Sequence, residues 1–315
     1  MKAVLQYRAS EGFRRLLSDL APAWLSTVVV EEPDKARFAS EMRDADVLLH
    51  VLEPTTAEVI EAAPRLRLIQ KIGVGVNTID LEAARARGIF VANMPGTNSQ
   101  AVAEATLALM LAALRRVTWM DAQTRASRGW SLEPEAFDSI GEIHGRTVGL
   151  VGFGEIPRRL APVLSALGAI VKCHSRTRRD DPSVQWCSLD ELLSRSDIVS
   201  LHVPLVPETR GMIGREAIAR MKPGAVLVNT ARGGLVDESA LVEALQSGRL
   251  SAAGLDVFAN EPVAAGNPLL ALPNVALMPH VAWLTPETLR RSLGIAIENC
   301  ARIRDGRALL HQVVP

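Results

Sequence analysis

The chain has 315 residues, 48 % of them hydrophobic, enough for about two domains, each with its own core. Lys+Arg and Asp+Glu each number 35, so no net charge steers the chain to nucleic acid or to an anionic membrane. Three cysteines, Cys173, Cys187 and Cys300, are odd in number and lack ligand spacing, which argues against disulfides or a metal site and for a reducing cytoplasm.

KAVLQY at the N-terminus reads as a strand, FRRLLSDLA as a helix, and STVVVE and ADVLLHVL as two more strands. TTAEVIEAA is a helix closed by Pro64, LRLIQKIG a strand, LEAARARG a helix ending at Gly88, and IFVAN a strand. Such alternation predicts parallel strands with crossover helices. A long Ala- and Leu-rich helix is expected from about 99 to 128. Its apolar part, residues 101–114, carries Glu104 and is shorter than the ~20 residues a membrane span needs. Ala101, Val102, Ala105, Leu107, Ala108, Leu109, Met110 and Leu111 cover more than one stripe of it, so it needs cover on several sides, which predicts a homodimer. A loop with Gly129, Pro134 and Gly141 leads to a second alternating series, from RTVGLVGFG through AIVKCHS, DIVSLHVPL and AVLVNTA. PETLRRSLGIAIENCARIRDG closes the chain as a helix that returns to the first series. Two doubly wound α/β units are expected.

VGLVGFGEIP is a strand running into a glycine turn and then a helix, the context a dinucleotide site requires. Gly152 and Gly154 let the backbone approach a pyrophosphate at the helix N-terminus. The third glycine position holds Pro157, which suits a first helical turn but removes close helix–strand packing, so a slightly displaced helix is expected. About 20 residues further on, where a carboxylate would read a ribose, stands CHSRTRRD, with Ser175 and Arg176 in the expected place and Arg178 and Arg179 behind them. A Ser–Arg pair welcomes a 2′-phosphate; the alternative is a solvated basic loop. The run is short and has no interleaved aromatics, unlike a nucleic-acid patch.

Val74 and Gly75 in GVGVNTID can present backbone N–H groups to an anion. His202 and Pro204 end the strand LHVPL; His202 alone reads as structural. Four further polar residues end apolar runs in the C-terminal half: Arg232 in NTARGG, Asp256 in GLDVF, Glu261 in NEP and His280 in MPHVAW. Ends of parallel strands line ligand crevices. There an Arg can fork onto a carboxylate, a His can pass a proton near neutral pH, and a Glu can hold that His in one tautomer. Trp283 fits either a core aromatic or a wall of the substrate pocket. His144, His174 and His311 have no supporting context.

GVGVNTID, NMPGTNSQAVAE, GRTVGLVGFGEI, LHVPLVPETRGMI, VNTARGGLVDE, GLDVFANEP and MPHVAW, in that order from residue 73 to 283, resemble the D-isomer-specific 2-hydroxyacid dehydrogenase family, in its glyoxylate/hydroxypyruvate reductase-like, NADP-preferring branch. Asn77 departs from the Asp common there. The resemblance implies a flavodoxin-like substrate domain of residues 1–97 plus 286–315, a Rossmann-type nucleotide domain of 98–285, and an active site in the cleft. His280 would be the acid/base, Glu261 its orienting carboxylate and Arg232 the carboxylate-binding cation. Val74, Gly75, Leu52 and Trp283 would complete the substrate site. NADP(H), with NAD(H) possible, would lie along Gly152, Phe153, Gly154, Glu155 and Ile156; Ser175, Arg176 and Thr177; His202, Val203 and Pro204; and Thr209, Thr230, Ala231, Asp256 and His280. Apolar Val51 and Leu52 point to glyoxylate, hydroxypyruvate or a modestly apolar 2-keto acid. Two rivals on the same fold are a nicotinamide-sensing corepressor, against which the lack of an added interaction tail argues, and a formate dehydrogenase, which resemblance would give Gln in place of Glu261.

Overall fold

The computed structural model describes residues 1–178 and 181–314, so Arg179 lies outside the described residues. In chain order it contains β1 (Lys2–Gln6), α1 (Glu11–Leu20), β2 (Ser26–Val30), α2 (Lys35–Met42), β3 (Val47–His50), α3 (Ala57–Glu61), β4 (Leu68–Lys71), α4 (Leu81–Ala86) and β5 (Phe90–Ala92). There follow α5 (Ser99–Leu114), α6 (Val117–Arg125), β6 (Thr147–Val151), α7 (Glu155–Ala166), β7 (Ile170–His174), β8 (Gln185–Trp186), α8 (Leu189–Arg195) and β9 (Ile198–Leu201). The chain ends with α9 (Arg215–Arg220), β10 (Ala225–Asn229), α10 (Glu238–Gln246), β11 (Leu250–Leu255), β12 (Val275–Leu277), α11 (Pro286–Arg304) and β13 (Gln312–Val314). It divides into two compact units, Met1–Asn98 with Leu284–Pro315, and Ser99–Trp283.

The first unit is a six-stranded sheet in the order β13-β5-β4-β3-β1-β2. All its strands are parallel except β13, which runs antiparallel to β5. From β1 the chain moves first to β2 on one side and later to β3 on the other, so the ends of β1 and β3 flank a switch point where the strand order reverses. β3 and β4 are buried at every position, as strands covered on both faces must be. The last long helix does return here: the Asn299 amide on α11 donates to the Gln70 side chain on β4 at 2.6 Å and to the Leu310 carbonyl at 3.0 Å.

The second unit is a seven-stranded parallel sheet in the order β12-β11-β10-β9-β6-β7-β8. Its order reverses between β6 and β9. One face packs Leu192, Leu227 and Leu241, and the other packs Met110, Leu150 and Leu160.

Three expectations need correction. The helix from 99 to 128 is two helices, because Arg116 adopts a left-handed backbone (φ 50) that no helix interior tolerates. α2 was not expected: KARFASEM buries only Phe38 and Met42, too few positions to show a stripe, and Asp34 caps it. The strand β13 has three residues and takes its shape from pairing with β5, which nothing local announces.

Candidate active site

β10 ends at Asn229, whose side chain shapes the turn after it: its amide donates to the Arg232 carbonyl at 2.9 Å and its oxygen accepts the Ala231 N–H at 3.0 Å. The next residue but one past Ala231, Gly233, has to be glycine, since a Cβ there would stand 1.9 Å from the Phe258 backbone. The loops after β10 and β11 therefore press together. Arg232 is largely withdrawn from water; burial lowers the pKa of its guanidinium while the Glu261 charge opposes that fall.

β11 delivers Asp256 directly at its end, only 1 % exposed. Its carboxylate accepts the Val281 N–H at 2.8 Å and the Ala282 N–H at 3.1 Å, while its carbonyl accepts the His280 N–H at 2.7 Å. Burial pushes the Asp256 carboxyl above its ordinary value, and these two amides and the His280 charge pull it back only in part. The side chain expected beside the cofactor is thus a clamp on the loop after β12. That loop needs one, because His280 sits in the left-handed region (φ 57), which costs a non-glycine residue about 1–2 kcal/mol. Trp283 adds a third tie: its indole N–H donates to the His280 carbonyl at 3.1 Å, and it is a buried aromatic.

Glu261 uses both carboxylate oxygens, one on His280 Nδ1 at 2.6 Å and one on the Phe258 N–H at 2.9 Å. Burial raises its pKa, but the His280 hydrogen bond, the Phe258 amide and the His280 and Arg232 charges outweigh burial and hold it below the usual carboxylate range. An ionised Glu261 keeps a proton on Nδ1, so Nε2 is the nitrogen left to exchange protons with another molecule. Within the second unit, then, strand ends gather an imidazole of fixed tautomer, its carboxylate and a guanidinium.

The same unit has a glycine turn, the expected cofactor cradle, at its switch point. Gly152 adopts φ 99, and a Cβ there would lie 2.5 Å from the His202 carbonyl, so the turn after β6 passes the end of β9 only as glycine. Gly154 caps α7 and has open space where a side chain would go. Pro157 is the third residue of α7 and is buried, filling the position where a glycine would allow closer packing. Glu155 is exposed and pairs with Arg158 and Arg159, and Phe153 packs edge-on against Trp186 at 5.2 Å. Burial pushes His202 down to about 4, so it is neutral, and Nε2 meets the Ser200 hydroxyl at 2.9 Å. Thr209 bonds within its own loop, to the Pro204 carbonyl at 2.7 Å, and Thr230 meets Thr106 at 2.7 Å. After β7, Ser175 donates to the Thr177 carbonyl at 2.6 Å, and Arg176 and Arg178 are exposed.

Val74 and Leu52 belong to the first unit, where they are 43 % and 38 % exposed. Gly73, with φ 137, starts the turn that carries Val74 and Gly75. Two features escaped sequence reading. Asp256 as a loop clamp has backbone partners, which leave no side-chain spacing; a lone Asp inside apolar GLDVF was the available signal, since a buried carboxylate must be bonded. The buried pair His50 and Lys71 also went unremarked, although both are polar ends of strands. Among the described residues no group of three His, Cys, Asp or Glu could hold a metal ion, and no helix is long and apolar enough to cross a membrane.

Comparison with known proteins adds four likenesses. A family model described as D-isomer specific 2-hydroxyacid dehydrogenase, NAD binding domain, matches residues 107–282. D-3-phosphoglycerate dehydrogenase of Mycobacterium bovis is 41 % identical over 292 residues, 91 % of this chain but 53 % of that protein, so the chain spans about half its length. Glyoxylate reductase of Korarchaeum cryptofilum is 40 % identical over 280 residues, 87 % of this chain and 84 % of that one. Among solved structures, a protein of Thermus thermophilus shares 39 % identity and superposes with a TM-score of 0.89 over 100 % of both chains.

Proposed function

Since the chain belongs to the D-isomer specific 2-hydroxyacid dehydrogenase family, we propose that it transfers hydride between a nicotinamide cofactor and a small 2-keto or 2-hydroxy acid of D configuration. The observation that carries this reading is the 2.6 Å pair of His280 and Glu261, set by the Asp256 clamp at the end of a parallel strand. When bound, a reduced nicotinamide supplies the hydride to the keto carbon. His280 gives its Nε2 proton to the carbonyl oxygen, so the substrate gains H⁻ and H⁺ and leaves as the hydroxy acid. Glu261, kept ionised, holds the ring in one orientation and one tautomer. Arg232 of the second unit binds the substrate carboxylate and polarises the carbonyl, and in the first unit the N–H groups of Val74 and Gly75 are donors for a carboxylate.

NADPH is the preferred cofactor in this reading, with NADH possible. Exposed Arg176 and Arg178 stand after β7, and residues 175–178 include no carboxylate to accept from a ribose 2′-hydroxyl. The Ser175 hydroxyl is engaged with Thr177, so Arg176 is the main phosphate partner. Glyoxylate and hydroxypyruvate fit the apolar, exposed Leu52 better than a substrate with a second carboxylate. The three cysteines are free, which suits a cytoplasmic enzyme. We also propose a homodimer through the outer face of α5.

A panel of 2-keto acids with both reduced nicotinamides tests the reading. A charged hydrogen bond contributes about 1.5–3 kcal/mol, or roughly 10- to 150-fold, and exposure puts the expected kcat/KM preference for NADPH near the lower end. Ser175→Asp with Arg176→Ala should reverse it. Equal or better kcat/KM with NADH in the wild type would make the loop merely solvated.

A further inference from the structure

Glu238 is the first residue of α10, directly after Asp237, whose side chain caps that helix. It lies on the connection from β10 to α10 that also carries Arg232. One of its carboxylate oxygens accepts the Ala259 N–H at 3.0 Å, and the other accepts the Asn267 side-chain N–H at 2.6 Å. Asn267 in turn caps the short helical turn Pro268–Ala271, its own side-chain oxygen taking the Leu269 N–H at 2.9 Å. The loop that leaves β11 is therefore pinned at Ala259 and again at Asn267 by a single carboxylate. Glu261 lies between the two pins.

Few apolar contacts hold that stretch. Phe258 and Leu269 are buried at its two ends, but between them every residue except Val263 and Asn267 is exposed. A segment with so little buried apolar surface opens locally at small cost, so its polar ties decide where it rests. The Glu261 bond to the Phe258 N–H at 2.9 Å fixes the side chain to its own loop and leaves the loop itself to be placed. Two features place it. Gly233 packs against it so closely that a Cβ there would stand 1.9 Å from the Phe258 backbone and 2.5 Å from the Ala259 nitrogen. Glu238 binds it. Both features belong to the segment that presents the Arg232 guanidinium, so they tie the Glu261 loop to that cation.

We propose that Glu238 is a positioning residue for the reaction: by binding Ala259 and Asn267 it holds Glu261, and through it the His280 ring, at a fixed offset from Arg232. The proposal rests on the reading above, in which His280 gives the proton while Arg232 binds the substrate carboxylate. Donor and anchor must agree in placement, because an error of about 1 Å can cost roughly 100-fold in rate. Glu238 acts only through Glu261.

The test is a double-mutant cycle on glyoxylate reduction with NADPH saturating. Glu238→Ala should lower kcat by about 10- to 100-fold, with NADPH affinity nearly unchanged. Glu238→Gln should fall between it and wild type, since its amide oxygen keeps one of the two donors while its NH2 group meets the other. In a Glu261→Ala background the ring has no carboxylate to be placed by, so Glu238→Ala should lower kcat little further. Equal falls in both backgrounds, or an unchanged kcat for Glu238→Ala, would overturn the proposal. A thermal melt establishes that each variant is folded, and Glu238→Gln carries the same cycle if the alanine variant does not fold. The low-field proton resonance of the His280 ring N–H bonded to Glu261 gives a readout independent of turnover. Glu261→Ala removes and thereby assigns it, and Glu238→Ala should weaken it; an unaltered resonance would also overturn the proposal. If wild type reduces neither glyoxylate nor hydroxypyruvate, the functional reading fails, while the ring proton still decides whether Glu238 places the pair.

Discussion

His280 draws its chemistry from its neighbours: Glu261 fixes its tautomer, Asp256 fixes its loop and Trp283 holds its carbonyl. Replacing Glu261 by Gln leaves the shape and removes the charge. An amide can present an N–H to Nδ1 as readily as an oxygen, so the tautomer held by the ionised carboxylate is no longer fixed. In the proposed reduction kcat should fall by roughly 10- to 150-fold, the scale of a hydrogen bond to a charged group, with NADPH affinity nearly unchanged. Turnover and NADPH binding for wild type and Glu261→Gln check this, and an unchanged kcat would dissolve the pairing. Arg232, Glu261 and His280 were legible in the sequence because each interrupts or ends an apolar run, where a polar side chain has few structural excuses. The clamp by Asp256 was not legible, because it acts on amides 25 and 26 residues away. The bond from Ser175 to Thr177 was likewise hidden, since a loop's local turn sets it.

At the scale of elements, the turn between β6 and α7 is the most constrained piece of the second unit. Gly152→Ala should destabilise it by about 2–4 kcal/mol, the left-handed backbone cost plus crowding against the His202 carbonyl, and should weaken cofactor binding. A melting curve and a cofactor titration measure both. A variant with the wild-type melting temperature would mean that the turn relaxes freely and that the cradle is not built as described. Alternation of strands and helices was readable because parallel strands covered on both faces are continuous apolar runs, such as VLLH and AVLVN. Short elements were not: α2 hides two buried residues among polar ones, and the break at Arg116 is a backbone event that Ala- and Leu-rich sequence conceals.

At the scale of the molecule, Leu109 and Met110 of α5 are buried in the core of their own unit and Leu107 packs against it, so only part of the face expected to pair is available. Ala108 and Leu111 remain outward, with Leu111 37 % exposed. Sedimentation should show a dimer at micromolar concentration, and Ala108→Glu with Leu111→Glu should dissociate it without unfolding the chain; a wild-type monomer would refute the pairing. The central claim is that His280 protonates a 2-keto acid as hydride reaches it. Its most direct test is glyoxylate- or hydroxypyruvate-dependent oxidation of NADPH by wild type and His280→Ala in parallel, with NADPH affinity measured on both. General acid catalysis is typically worth about 10²–10⁴-fold, so turnover should fall by that factor while NADPH binds almost equally well. Near-normal turnover by His280→Ala, or no keto-acid-dependent oxidation by wild type, would contradict the account.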